Sequence, residues 1–232
     1  LFIIISSVHA KESIKPVVFY ATSSYPWGYI ENGDTKGIMV DWAKAIFVKA
    51  DIPVEIVLAP TIRTLKDLGN GNADASIQIF TPELNEVSDL IANTPPQLSG
   101  TLSLKNNEIS TIADLHNKEV CQVRGGRYGL EYDNELRINK ITLTHYKQIV
   151  EMVVARRCFA GVGLIKTLNR TAKSLSYTRD QFSKPFIIHE NTGGLILSKK
   201  YQADGLSSKL KVATDTLYSQ GVFDKISKRY LD

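Results

Sequence analysis

Three stretches of the sequence carry side chains suited to holding a ligand. The first is "RGGRYG", residues 124–129. It lies between a strand pattern and a helix start, where free backbone N–H groups attract an anion and Gly125 and Gly126 permit close approach. Arg124 and Arg127 add positive charge. The spacing fits neither a dinucleotide fingerprint nor a P-loop; a tight turn with exposed arginines is the alternative. The second is an aromatic loop, in which Tyr20, Tyr25, Trp27 and Tyr29 crowd together just after an apolar strand. Aromatic faces in a cleft pack on planar or aliphatic parts of a ligand, and tyrosine hydroxyls orient polar groups. A core role for Trp27 is the alternative, and Trp42, on the following helix, is assigned to the core. The third is "APTIRTLKDLGNGNADASI", residues 59–77. Its Arg63 stands near the start of a helical run that stops at Gly69-Asn70-Gly71. That guanidinium can fork to a carboxylate or phosphate, or pair with Asp67 at i+4. Asp74 can cap or brace the turn.

Catalytic chemistry finds no such support. No paired acid and base, metal set or nucleophile set stands at workable spacing. His116, His145 and His189 fall in separate segments, and two cysteines are too few for a structural zinc site. The reading is a binder rather than an enzyme, with no cofactor and no metal.

These residues need a scaffold, and the chain is long enough for one: 232 residues, 43% hydrophobic, suffice for one large domain or two lobes with separate cores. The net charge is +4. Lys and Arg are scattered, so no nucleic-acid surface is indicated, and a mild preference for anionic ligands remains. "LFIIISSVHAKES" reads as the remnant of a signal peptide, residues 1–10, ending in a small-residue cleavage pattern. A buried first strand is the alternative. The apolar run, about ten residues, is too short to span a bilayer. The mature protein is expected to be exported, and an even cysteine count then suggests a disulfide.

Along the chain, 15–22, 54–59 and 73–80 read as strands, with helices at 38–51 and 61–71 between them. A second set follows: strands at 119–125, 140–146 and 158–165, a helical run opened by "GRYG", and a helix at 147–157. Each set is β-α-β-α-β, the pattern of a parallel sheet flanked by helices. Crossovers near 95–100 and 192 join them, and two helices split by Gly221 end the chain. The expected fold is α/β, two doubly wound lobes joined by a two-strand hinge, with 11–98 and 194–232 forming one lobe and 99–193 the other. Ligands sit beyond the carboxyl ends of such strands, hence in the cleft between lobes. In a sheet of order 2-1-3, Cys121 and Cys158 fall on neighbouring strands within bridging range. Two buried free thiols are the alternative.

"YPWGYIENGDTKGIMVDWAKAI", "PTIRTLKDLGNGNADASI", "TIADLHNKEVCQVRGGRYG", "VEMVVARRCFAGV" and "KLKVATDTLYSQGVFDKISKRYL" together resemble the bacterial extracellular solute-binding proteins, family 3, across 16–232. The resemblance implies a type II periplasmic binding-protein fold, a periplasmic monomer, and capture of a small polar ligand, anionic or amino-acid-like, by lobe closure. It further implies delivery to the membrane permease of an ABC transporter. A sensing module with a signalling partner is the alternative, and an enzyme of the same fold the weakest reading. It also implies that Gln78, Phe80 and Thr81, at the end of the third strand, hold the ligand. Two features depart from the pattern. The family's carboxylate-clamping arginine belongs in "TPELNE", where Leu84, Asn85 and Glu86 stand. The acid that holds an α-ammonium belongs near Gly163-Leu164. Both halves of amino-acid recognition are absent. Glu190 and Asn191 are possible substitutes, or plain hinge residues.

Overall fold

The computed structural model describes residues 15–201 and 205–232; the expected leader at 1–10 lies outside them. The chain opens with β1 (Val17–Thr22), a hairpin of β2 (Tyr29–Glu31) and β3 (Asp34–Lys36), and α1 (Ile38–Ala50). The hairpin turn is Asn32-Gly33, both at positive φ, as a two-residue hairpin turn requires. β4 (Val54–Ala59), α2 (Thr61–Asn70), β5 (Ala75–Ile79) and the short α3 (Pro82–Val87) follow. α2 starts after Pro60 and ends at Gly71 in the left-handed region, the expected helix stop. Asp74 is structural, but it braces β1 rather than the turn: its carboxylate accepts from Val18 N–H at 2.8 Å.

β6 (Ser88–Ser103) then leads to β7 (Glu119–Val123), α4 (Leu130–Asn134), β8 (Asn139–Leu143), α5 (Tyr146–Val154), β9 (Ala160–Leu164) and α6 (Ile165–Ser174). β10 (Ile187–Ser198), α7 (Leu206–Ser219) and α8 (Val222–Leu231) complete the fold. The helical run expected from "GRYG" shrinks to the five residues of α4.

All strands but the hairpin join one sheet, of order β4-β1-β5-β10-β6-β9-β7-β8. Its two ends are parallel 2-1-3 units, β4-β1-β5 and β8-β7-β9. The long antiparallel pair β6 and β10 runs through the middle and belongs to both. The fold is thus two doubly wound α/β lobes on a two-strand hinge. Each lobe packs a cluster of its own: Phe19, Trp42, Ile46, Phe47 and Phe223 in the first, and Cys121, Ile149, Val153 and Leu168 in the second. Cys121 and Cys158 are disulfide-bonded, Cα atoms 5.9 Å apart. Cys121 pairs in register with Gly161 of β9, so the 2-1-3 order brings the two residues together.

α1 also fixes the aromatic loop. Its first N–H groups would be orphans; Ile38 N–H donates to Pro26 O at 2.9 Å and Met39 N–H to Trp27 O at 3.0 Å. Gly37 makes this contact possible. It sits at φ +135, and a Cβ there would lie 2.6 Å from the Trp27 carbonyl carbon and 2.8 Å from Gly28 N. Neither backbone atom can yield. Gly37→Ala is therefore expected to cost about 2 kcal/mol or more in a urea unfolding curve, and an unchanged midpoint would refute this account of the loop.

Candidate functional site

A cavity of about 300 Å³ lies between the lobes. It collects the carboxyl ends of parallel strands from both: Thr22 at the end of β1 with Ser24 just beyond it, Ile77 to Ile79 of β5, Val123 of β7 and Leu164 of β9. The first-lobe wall includes Trp27, Trp42 and Leu84, and the second-lobe wall Tyr128 and Tyr146. Asn191 of β10 comes from the hinge; its amide donates to Gln97 O of β6 at 3.1 Å and to Ser99 Oγ. Asn191 thus ties the two hinge strands together, and it also lines the cavity.

The lobes touch across the cleft. Trp27 Nε1 donates to Thr167 Oγ1 of α6 at 3.0 Å, both side chains buried. Arg127 reaches over to Glu83 of α3 at 3.2 Å. The open face of Gly125 covers Ile62 of α2, where a Cβ would lie 3.7 Å from Ile62 Cβ. The molecule is therefore in a closed arrangement.

Of the residues read from the sequence, Trp27, Gln78, Thr81, Gly126 and Arg127 line the cavity. Tyr20, Tyr25, Arg63, Phe80 and Arg124 do not. Tyr20 is buried under α2, where burial and the Asp67 carboxylate push its hydroxyl pKa up. Tyr25 packs on Tyr29, ring centroids 5.0 Å apart, at the surface. Arg63 takes its local alternative, pairing with Asp67 at 3.0 Å, and this contact holds the Asp67 carboxyl below its usual range. Phe80 and Arg124 are exposed.

At 124–129, where an anion cradle is expected, three backbone N–H groups are taken within the protein. Arg124 N–H donates to Leu143 O at 2.8 Å and Gly126 N–H to Val123 O at 3.1 Å, while Tyr128 N–H is taken by the Asp133 carboxylate at 3.2 Å. The space a Cβ would fill at Gly126 holds the Tyr128 hydroxyl. The glycine admits a tyrosine, not a ligand. Tyr128 in turn accepts from Val123 N–H at 3.3 Å, and Tyr146 from Leu164 N–H at 3.1 Å. Burial pushes the Tyr146 hydroxyl up to about 12 and Tyr128 well above the usual tyrosine value, so both are neutral.

Ser24, Met39, Thr94, Tyr128 and Tyr146 were not singled out from the sequence as ligand-facing. Ser24 had a local signal, a serine one residue before the aromatic loop's tyrosine, and Tyr128 lies within "RGGRYG" itself; the others arrive from segments not singled out. Trp42, assigned to the core, is in the core and also reaches the cavity. Among the described residues no group of three or more His, Cys, Asp or Glu converges as a metal site, and no helix is long and apolar enough to cross a membrane.

The Arg127–Glu83 pair spans the lobes but is about half exposed on each side, 51% and 51%. Exposed pairs contribute about 0.2–1 kcal/mol. A double-mutant cycle of Arg127→Ala and Glu83→Ala is expected to show coupling in that range, and either variant to weaken ligand binding no more than about fivefold. Glu83 is lowered by its own N–H, by Thr81 and by Arg127. The contact is therefore complete above the ordinary glutamate value of about 4.3 and lost as pH falls through the lowered one. Coupling that grew on acidification would contradict this.

Comparison with known sequences decides the family. The profile of the bacterial extracellular solute-binding proteins, family 3, matches residues 17–232. The chain belongs to this family. A curated relative of this solute-binding protein, the "Probable amino-acid-binding protein YxeM" of Bacillus subtilis (strain 168), is 26% identical over 221 residues, covering 90% of this chain and 81% of that one. The ligand-binding core of GluR0, in complex with L-glutamate, has a TM-score of 0.79 at 17% identity and covers 95% of this chain and 100% of its own. A histidine kinase sensor domain similar to periplasmic binding proteins has a TM-score of 0.75 at 16% identity, covering 94% of this chain and 96% of its own. The solute-binding protein thus has the type II periplasmic binding-protein fold.

Proposed function

We propose that this solute-binding protein captures a small molecule in the interlobe cavity by closing about β6 and β10, as a periplasmic monomer. The closed form then delivers its cargo to the permease of an ABC transporter. One observation carries the reading: the cavity is assembled from the strand ends of both lobes and shut by Trp27–Thr167. Such a site exists only when the lobes meet, so ligand and closure are linked. In this reading 11–98 and 194–232 act as one lobe and 99–193 as the other, and residues 1–10 serve as a leader. Tyr20, Tyr25, Arg63, Phe80 and Arg124 act from outside the cavity, if at all. The family and the relative's name are those of binding proteins, which supports binding rather than catalysis. The relative's name offers an amino acid as the ligand class. The likeness to a sensor domain favours a second reading, in which the closed form is reported to a signalling partner.

The test is a thermal-shift panel of amino acids, dicarboxylates, aromatic acids and amides, peptides, sugars and phosphates on ligand-stripped protein, with small-angle scattering on any compound that acts. A ligand of the folded state at 100 times its Kd adds about 2.7 kcal/mol of stability. Stabilisation by one class, together with a smaller radius of gyration, is expected. Silence from every compound would overturn the capture function, and closure with no copurifying permease would favour the sensor.

A further inference from the structure

From the charges and donors around the cavity we infer that its ligand is a neutral, largely apolar ring compound with a single hydrogen-bonding group, not a zwitterion or an anion. This rests on the capture function proposed above and names its substrate class.

Charge comes first. Among the described residues that line the cavity, only Glu83 and Arg127 are charged, and they neutralise each other at its exposed mouth. Where the family resemblance puts a clamping arginine stand Leu84, Asn85 and Glu86, and where it puts an ammonium-binding acid stand Gly163 and Leu164; of these, Leu84 and Leu164 line the cavity. Leu84 is buried in the first-lobe core. A carboxylate or ammonium enclosed here would lose its water and gain no opposite charge, which costs several kcal/mol per ion.

Donors come second. An anion can also be held by backbone N–H groups, but three of those at the cavity edge are already spent. Val123 and Leu164 N–H are taken by the Tyr128 and Tyr146 hydroxyls, and Leu84 N–H by Thr81 Oγ1 at 3.3 Å. Tyrosine hydroxyls thus occupy the strand ends where a bound anion would sit.

What remains is mostly apolar surface, and among the described polar side chains that line it Ser24 alone has a buried hydroxyl without a partner. Trp27, Trp42, Ile77, Tyr128 and the two leucines supply faces that suit a flat apolar ring. Ser24 supplies a polar handle: it is only 7% exposed, lines the cavity, and its hydroxyl is buried with no hydrogen-bond partner. A buried hydroxyl without a partner is costly. A ligand N–H or carbonyl meets that need at no charge cost. Gln78, whose amide nitrogen is held by Ser76 Oγ at 2.9 Å, lies in the same wall.

Calorimetric titration of the full chain with pairs that differ in charge tests this: indole against L-tryptophan, and benzamide against benzoate. In each pair that binds, the neutral member is expected to bind at least tenfold tighter. Ser24→Ala should weaken the neutral compound about fivefold or more while leaving the ligand-free Tm unchanged or higher, since it removes an orphan hydroxyl. A Tm that fell with no change in affinity would assign Ser24 to structure and overturn its role. A charged member binding as tightly as its neutral partner overturns the inference. Silence from both pairs, with stabilisation by an amino acid, dicarboxylate, phosphate or sugar, overturns it too and leaves the capture function standing. Silence from every compound overturns both.

Discussion

Trp27→Ala is expected to weaken ligand capture by about a hundredfold or more, some 2.7 kcal/mol. Three losses combine. The aromatic wall next to Trp42 goes, where the two rings meet edge-on at 6.0 Å and 86°. The bond from Nε1 to Thr167 Oγ1, which joins the lobes only when they are closed, goes with it. Thr167, fully buried in the closed form, is left without its donor. Trp27 also belongs to the first-lobe core, so truncation lowers global stability, by about 3–5 kcal/mol if the cavity stays open. Trp27→Phe separates these effects. It keeps a ring in the wall while removing the donor and part of the ring volume; the lost donor penalises the closed state by about 1–3 kcal/mol, and the lost volume shows in the urea curve. Calorimetry with the compound that stabilises the unmodified protein, beside a urea curve for each variant, gives both numbers. Wild-type affinity in Trp27→Phe would remove this bond from the closing mechanism.

The largest purely structural effect is expected at the disulfide. Cys121 lies in β7 and Cys158 in the turn between α5 and β9, 37 residues apart in sequence and both within the second-lobe core at 0% and 2% exposure. Cross-linking a loop of that length removes unfolded-chain entropy worth about 4 kcal/mol. Cys121→Ala/Cys158→Ala should therefore unfold at clearly lower urea concentration, with a loss of about 2–5 kcal/mol. Reductant should leave the native unmodified protein intact until it opens, because the bridge is buried. A loss under about 1 kcal/mol would mean that the reduced unfolded chain is already compact in this region.

Much of the scaffold follows from local chemistry. Parallel strands read as apolar runs such as "VVFYAT", which is largely buried, and "VEIVLA", the half-buried edge strand, and α2 between strands ends where Gly71 permits. The alternation of the two implies two 2-1-3 sheets, and the repeat of that pattern implies a cleft. The 2-1-3 order even places Cys121 beside Cys158. The hinge was harder to read. Pro95 and Pro96 look like punctuation, yet β6 runs straight through them. It does so because its pairing with β10 is irregular there, shifting register between Asn191 and Gly193, and a residue without an N–H fits at such an irregularity. α4 was overread because its helical pattern is cut short at Glu135, whose extended backbone no periodicity predicts.

The site divides in the same way. Residue types near a strand end were legible: Trp27, Gln78, Thr81, Gly126 and Arg127 all reach the cavity. Side-chain direction was not. Arg63 had two partners open to it, and the one four residues away on its own helix required no lobe movement. Arg127 and Arg124 looked equivalent, but only Arg127 faces a carboxylate across the cleft. The glycines of "RGGRYG" promise room for an anion, and tertiary packing gives that room to Tyr128 and Ile62. The absence of a clamping arginine and an ammonium-binding acid is written in the sequence at Leu84-Asn85-Glu86 and Gly163-Leu164, and of these Leu84 and Leu164 reach the cavity. That these two leucines, two tryptophans, two tyrosines and one unpartnered serine enclose a single space is decided only when the lobes meet, because their burial and their pairing are properties of the closed pair of lobes and of neither segment alone.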